Sequence, residues 1–274
     1  MPELPEVETV RRSLLPVLVG RRIERVLVRE RRLRRQVDPA LLKREVCGQV
    51  VVDLSRRGKY LLIHLEGERR LLVHLGMSGR LFLTRAATPS ARHEHVVFSL
   101  DDGQELRFRD PRRFGVVEAT TVSALATDRR LSELGVEPLS RACSAKYLYE
   151  RSRGLRRPVK NFLMDARVLV GVGNIYANEA LFLARIHPLR AAGRSGLARW
   201  ERLTAAVKQV LRDAIRQGGT TLNDFRSGTG EEGYFQVFLR VYQREGEGCP
   251  ECERPIRKTV LAGRSTFYCP SCQR

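Results

Sequence analysis

The apolar positions of the chain change period twice, and those changes divide it before any motif is considered. Leu4, Val7, Val10 and Leu14 recur at helical spacing, which puts them on one face of an amphipathic helix. Pro5 suits the first turn of that helix and Pro16 is expected to end it. Short β-favouring runs follow at residues 23–28, 50–54, 60–65, 71–75, 96–100, 105–109 and 115–118, separated by Gly, Asp or charged turns. Such a series predicts an antiparallel sandwich or barrel. From about Leu131 the period returns to helical, over residues 144–153, 159–165, 174–184 and 196–217. In the last of these Trp200, Leu203, Val207, Val210 or Leu211 and Ala214 form one core-facing stripe, and Gly218-Gly219 supplies a stop. A polar, glycine-rich stretch at residues 220–233 is expected to be a mobile loop. The pattern predicts an α+β, multidomain chain, with a boundary near residue 133 between the β-rich part and the helical one. No internal repeat is visible.

Composition adds a partner to this picture. The chain has 274 residues, and its 50 Lys and Arg against 31 Asp and Glu give a net charge of +19. That excess goes far beyond what solubility requires and destabilises the compact state by self-repulsion, so a polyanion is the simplest reason for it. Nucleic acid is the first candidate and an acidic membrane the lesser one. No run approaches the ~18 consecutive apolar residues of a membrane span, and Met1-Pro-Glu-Leu-Pro-Glu6 lacks the basic start and apolar centre of a secretory signal. A soluble, cytoplasmic monomer, associated with the nucleoid through DNA, is therefore expected.

Four of the six cysteines sit together near the C-terminus, while Cys47 and Cys143 stand alone and read as buried or inert thiols. Cys249 and Cys252, then sixteen residues, then Cys269 and Cys272 have the spacing of a tetrahedral zinc site. Two disulfides or a redox pair are the alternatives, and a cytosolic setting argues against both. With four thiolates the ion has no open position for water, so one structural Zn2+ is expected rather than a catalytic one. The segment between the pairs reads as two strands meeting at Ala262-Gly263. Arg264 at that turn, with Arg257 and Lys258 on the facing strand, makes a rigid cationic hairpin suited to a DNA groove.

Two further segments carry chemistry. Gly171-Val-Gly-Asn174 places two glycines before a helix that Asn174 can cap, exposing backbone N–H groups as a phosphate seat. Removal of Met1 before Pro2 leaves a secondary α-amine followed by Glu3. An α-amine titrates near ~8 and a lysine near ~10.4, so roughly a tenth of the former but under a thousandth of the latter is neutral at pH 7. Attack by such an amine on a sugar C1′ yields an iminium whose charge acidifies the C2′ proton, and Glu3 is placed to move protons. A retained Met1 blocks that amine.

Met1-Pro-Glu-Leu-Pro-Glu-Val-Glu-Thr9, His74-Leu-Gly-Met-Ser-Gly79, Asp110-Pro-Arg-Arg-Phe-Gly115, Gly171-Val-Gly-Asn-Ile-Tyr176 and the four-cysteine hairpin occur together, in this order. The whole chain thereby resembles the formamidopyrimidine-DNA glycosylases. The resemblance implies an N-terminal β-sandwich at 1–133, a helix-two-turns-helix domain at 134–232, a C-terminal zinc hairpin at 233–274 and a cleft for damaged duplex DNA. It implies Pro2 as Schiff-base nucleophile and Glu3 as acid/base, with Lys59 and Arg264 completing the catalytic set. It implies DNA contacts from His93, Arg112, Lys160, Asn174, Met77 and Phe114. Met77, Arg112 and Phe114 match the family's void-filling trio, and the residue types suit it: extruding a nucleotide leaves a hole that Met and Phe can wedge, while Arg offers donors to the widowed base. The stretch from Thr220 to Tyr234 matches the loop that closes over the flipped base.

The implied activity is excision of oxidised purines, 8-oxoguanine and formamidopyrimidines, followed by β,δ-elimination. Glu231-Glu232 in the loop and Gln243, where the family commonly reads Val-Tyr-Gly-Arg, depart from the pattern and bear on base preference. An endonuclease VIII type, acting on oxidised pyrimidines, is the rival enzyme, and Leu4 with Val7-Glu8-Thr9 fits it less well. A zinc-bearing DNA-binding module without catalysis is the rival of another class.

Overall fold

The computed structural model describes residues 2–220, 227–229 and 235–274. The chain forms two compact units, Met1–Ser132 with Gln217–Tyr234, and Glu133–Arg216 with Phe235–Arg274. The hairpin thus belongs with the helices, where the sequence pattern set it apart, and the segment after the last long helix returns to the first unit. Part of that return is visible: Glu6 Oε1 accepts the Thr220 N–H at 2.9 Å and Ser13 Oγ accepts the Gly228 N–H at 2.8 Å.

The first unit opens with helix α1 (Leu4–Leu18), followed by strand β1 (Ile23–Val28), helix α2 (Pro39–Val46) and strands β2 (Val51–Arg57), β3 (Tyr60–Leu65), β4 (Arg69–His74), β5 (Arg80–Arg85), β6 (Glu94–Leu100), β7 (Gln104–Arg109) and β8 (Val116–Thr121). The strands make two four-stranded sheets, ordered β1-β6-β7-β5 and β2-β3-β4-β8, and every pairing is antiparallel. Leu54, Leu61, Ile63, Leu71 and Val73 of one sheet share a core with Leu81, Val96, Phe98, Leu106 and Phe108 of the other. That common core makes the pair a sandwich. Leu4, Val7, Val10, Leu14 and Leu18 of α1 are buried, and each such side chain contributes about 1.5–3 kcal/mol.

Three details differ from the pattern read along the chain. Helix α1 runs through Pro16 to Leu18, because a proline in the last turn forfeits one hydrogen bond while Leu18 keeps its buried seat. Helix α2 was missed although its signal is present: Asp38 caps it, accepting the Ala40 and Leu41 N–H groups, with Pro39 at the first turn. Strand β5 was missed because Leu81-Phe82-Leu83 does not alternate; of the three only Leu81 is buried.

After two short helices, α3 (Val122–Thr127) and α4 (Arg129–Ser132), the second unit contains α5 (Ala145–Ser152), α6 (Val159–Leu163), α7 (Asn174–Leu183) and α8 (Leu197–Arg216), then the hairpin strands β9 (Arg257–Leu261) and β10 (Arg264–Tyr268). Trp200, Leu203, Val207, Val210, Leu211 and Ala214 of α8 are buried as the stripe predicts. Trp200 meets Phe162 edge-on at 5.2 Å. The hairpin packs through Val241, Cys249, Ile256 and Phe267 against Phe182 of α7. Glu179, buried on the same helix, accepts the N–H groups of Arg240, Val241 and Tyr242 at 2.9–3.0 Å and so anchors the approach to the hairpin. Burial raises its pKa against the opposing pull of those three N–H donors. Among the described residues no helix is long and apolar enough to cross a membrane.

Candidate active site

In the first unit the site grows out of α1. Pro2 is half-buried and directly precedes Glu3, the N-cap residue, which is 2% exposed. The Glu3 N–H donates to Glu6 Oε2 at 2.7 Å, as part of a capping box with the third helical residue. The helix start therefore holds Glu3 in one place, next to Pro2.

One turn further on, Glu8 fixes a second element. Its carboxylate binds Arg11 and Arg12 at 2.8 Å and Arg56 Nε at 3.3 Å. Burial alone pushes the Glu8 carboxyl up, but hydrogen bonds from Arg11 and Arg12, with the charge of Arg56, outweigh it and hold the pKa at about 2. Arg56 also donates through Nη1 to the Gly58 carbonyl at 2.8 Å. Gly58 and Lys59 are the two residues joining β2 to β3, and Gly58 has φ +57°, a conformation that favours glycine. Thus the helix that presents Pro2 and Glu3 also clamps the turn that presents Lys59.

His74 belongs beside Lys59, and the motif was read without assigning it a part. It faces Tyr60 across β3 and β4, with ring centroids 4.8 Å apart. Its Nδ1 accepts the Gly76 N–H at 3.0 Å, so Nε2 carries the proton. Burial, then the charges of Lys59 and Arg34, lower its pKa to about 4. A neutral imidazole with one N–H donor results. Sequence alone shows a histidine ending a β-run; its neighbour emerges only with the strand register.

Met77 and Phe114 are 41% and 42% exposed, among the few large apolar side chains so displayed. The Arg112 guanidinium lies 4.9 Å from the Phe114 ring centroid, and the Arg112 N–H reaches Ser78 Oγ at 3.2 Å, which joins this loop to the one that carries Met77. His93 has φ +71° and stands 6.0 Å from His95, ring to ring. Burial and the charges of Arg92 and His95 disfavour its protonation.

In the second unit Gly173, not Asn174, caps α7; Asn174 is the first helical residue and reaches sideways, its Nδ2 donating to the Ser265 carbonyl at 3.0 Å. Lys160, expected to hold a phosphate or assist the chemistry, is 1% exposed, and its ammonium donates to Ser265 O at 3.0 Å and Thr266 Oγ1 at 2.6 Å. Its charge supports β10 from beneath. Arg264 begins that strand and is exposed. Arg157, Lys160, Asp165 and Arg264 line a cavity of about 390 Å³ beside the hairpin turn. The expected closing loop at 220–234 falls largely outside the described residues.

The four cysteine sulfurs lie within 4.8 Å of one another, with Cys249 and Cys272 at 3.9 Å and Cys252 and Cys269 at 3.5 Å. A tetrahedron with metal–sulfur bonds of about 2.3 Å has edges near ~3.8 Å, whereas a disulfide needs ~2.05 Å. The geometry fits one structural zinc held by Cys249, Cys252, Cys269 and Cys272.

Comparison with known proteins agrees along the whole chain. Residues 1–117 match the formamidopyrimidine-DNA glycosylase N-terminal domain, 134–226 the H2TH domain of the same enzymes, and 246–274 the zinc finger found in FPG and IleRS. The formamidopyrimidine-DNA glycosylases of Magnetococcus marinus and Halorhodospira halophila are 50% and 52% identical, over 100% of both chains in each case. Among solved structures, the Lactococcus lactis Fpg in complex with abasic-site DNA has a TM-score of 0.93 at 33% identity, covering 99% of both chains. The MutM (FPG) protein of Thermus thermophilus has 0.88 at 40%, covering 99% of this chain and 98% of that one. With all three family domains in order and half of its residues identical to full-length relatives, the chain belongs to the formamidopyrimidine-DNA glycosylase family.

Proposed function

We propose that the chain excises oxidised purines from duplex DNA and nicks the strand through a Schiff base on Pro2. The observation that carries this reading is a single helix start: α1 presents Pro2 and buried Glu3 and, through Glu8 and Arg56, fixes the turn of Lys59. Once Met1 is removed, the Pro2 nitrogen attacks C1′ and the bond from C1′ to the base breaks, the base leaving with the electron pair and a proton. Glu3 moves protons at this step and in sugar-ring opening. The iminium that forms acidifies C2′–H; loss of that proton expels the 3′ phosphate, a second elimination expels the 5′ phosphate, and hydrolysis frees the amine. Lys59, Arg264 and Asn174 hold backbone phosphates, and neutral His74 joins Lys59 as a donor that leaves the local charge unchanged. Met77, Arg112 and Phe114 fill the space of the extruded nucleotide. Zinc supplies no chemistry at the sugar; it orders the hairpin that carries Arg264.

The Lactococcus lactis relative has been solved with Fapy-dG DNA and also with DNA containing an oxidised pyrimidine, so substrate choice is tested on both. Duplexes bearing 8-oxoguanine, a formamidopyrimidine or an oxidised pyrimidine are incubated with the protein and borohydride. A covalent adduct with the purine lesions, formed faster than with the pyrimidine and abolished when an added N-terminal residue blocks the amine, is expected. A protein that binds these duplexes yet never forms the adduct is a binding module instead.

A further inference from the structure

Asp110 is wholly buried, a carboxylate with no exposed surface, and its bonds span three segments. Oδ1 accepts the Ser78 hydroxyl at 2.7 Å and the Arg112 N–H at 3.3 Å; Oδ2 accepts the Gly115 N–H at 2.7 Å. Its own N–H donates to His93 O at 3.0 Å, and its carbonyl accepts His95 Nε2 at 2.8 Å. Ser78 follows Met77, while Arg112 and Gly115 bracket Phe114. The Arg112 N–H also reaches Ser78 Oγ at 3.2 Å, so the Asp110 carboxylate, the Ser78 hydroxyl and one backbone N–H close a small ring between the two loops. Contact of the loops is tight elsewhere too: a Cβ on Gly76 would stand 2.5 Å from the Phe114 carbonyl carbon.

A wedge acts on DNA only if it does not retreat when pushed. Met77 and Phe114 project from loops, the least rigid kind of support, and each is more than two-fifths exposed. We propose that Asp110 is a positioning residue that locks the two loops into one body, so that Met77, Arg112 and Phe114 enter the stack together. The proposal rests on the void-filling reading of those three residues. Asp110 touches neither sugar nor base; it acts through them.

The substitution Asp110→Asn preserves shape but turns one acceptor oxygen into a donor facing N–H or O–H groups. Ser78→Ala removes one partner at a less buried position and guards against a variant that fails to fold. Single-turnover excision of 8-oxoguanine from duplex DNA is measured for both, for Met77→Ala/Arg112→Ala/Phe114→Ala, and for Asp110→Asn added to that triple variant. On the order of tenfold slower excision is expected for Asp110→Asn, since small misplacements of supporting groups cost that much or more. In the triple-variant background Asp110→Asn should then change the rate less than about twofold, because the groups it positions are gone. Borohydride trapping on a single-stranded abasic oligonucleotide, which has no widowed base to fill, should stay at the wild-type rate in Asp110→Asn and in Ser78→Ala. If the triple variant excises at the wild-type rate, the void-filling reading itself fails. If the triple variant is slow but Asp110→Asn still contributes its full factor there, or slows single-stranded trapping equally, Asp110 is merely structural and the proposal is overturned. Wild-type excision by both Asp110→Asn and Ser78→Ala overturns it as well.

Discussion

Glu8 is one carboxylate facing three guanidinium groups, and the imbalance makes it a pH gauge of the active-site scaffold. Its folded pKa of about 2 lies below the ordinary 4.5, so its contribution is complete above pH 4.5 and disappears as pH falls through 2. Buried but close to the surface, it contributes about 1–2 kcal/mol after solvent screening. Melting curves of Glu8→Gln and wild type should therefore differ at pH 7 and converge toward pH 2; a constant gap contradicts the assignment. His74 has the opposite charge logic. The folded protein holds it neutral down to about pH 4 while the unfolded chain takes up its proton near 6.5, so stability declines as pH falls from 6.5 to 4. His74→Asn, which keeps an acceptor for the Gly76 N–H, should flatten that part of the melting profile. At this scale the sequence was most informative where chemistry demands a residue type at a fixed spacing, as at the four cysteines. It was least informative where a role depends on what lies across a strand. His74 was passed over because Tyr60 and Lys59 reach it only through strand register, and the bonds of Lys160 to Ser265 and Thr266 were not legible because a buried ammonium leaves no mark in sequence.

Elements were legible in proportion to their length and periodicity. Helix α8 was read to within one residue at each end, since twenty residues repeat one stripe. Helix α2, with eight residues, and strand β5, without alternation, had too few turns or pleats to stand out. The zinc hairpin was legible because four ligands declare it, yet its support was not: Lys160 and Asn174 hold the same Ser265 carbonyl from two different helices. Lys160→Met leaves that carbonyl short of a donor and Thr266 Oγ1 without its ammonium partner, a loss of about 1–3 kcal/mol. Weaker binding of lesion duplex with the zinc retained is the expected result, read from titration of DNA against protein assayed for metal; undiminished affinity would show that the lysine does not support the hairpin's grip. Removing the metal acts on the same element more severely. Zinc-free protein should lose at least on the order of a hundredfold in duplex affinity while circular dichroism still reports the β-sandwich, because ligand bonds order the hairpin and an apolar core orders the sandwich. Native affinity without metal would refute the structural role.

For the molecule as a whole the dominant quantity is the net charge of +19, a property of composition that no single element displays. Its consequence is electrostatic and measurable. Each phosphate neutralised releases counterions, so the slope of log K against log salt is about −0.9 per contact. If Lys59, Arg264 and at least two other cations each meet a phosphate, the slope is about −4 or steeper, and affinity falls on the order of a hundredfold between 50 and 200 mM salt. Single substitutions then sort the cations by what they touch. Arg264→Ala should reduce the slope by about one and weaken all duplexes alike, since a phosphate is the same beside every base. On the void-filling reading, Arg112→Ala should leave the slope nearly unchanged and alter the preference for the opposite base, because that reading aims its donors at a base edge. Were the two variants to behave identically, with equal changes of slope and no change of preference, Arg112 would be one more phosphate contact. The void left by the extruded nucleotide would then have to be filled by Met77 and Phe114 alone.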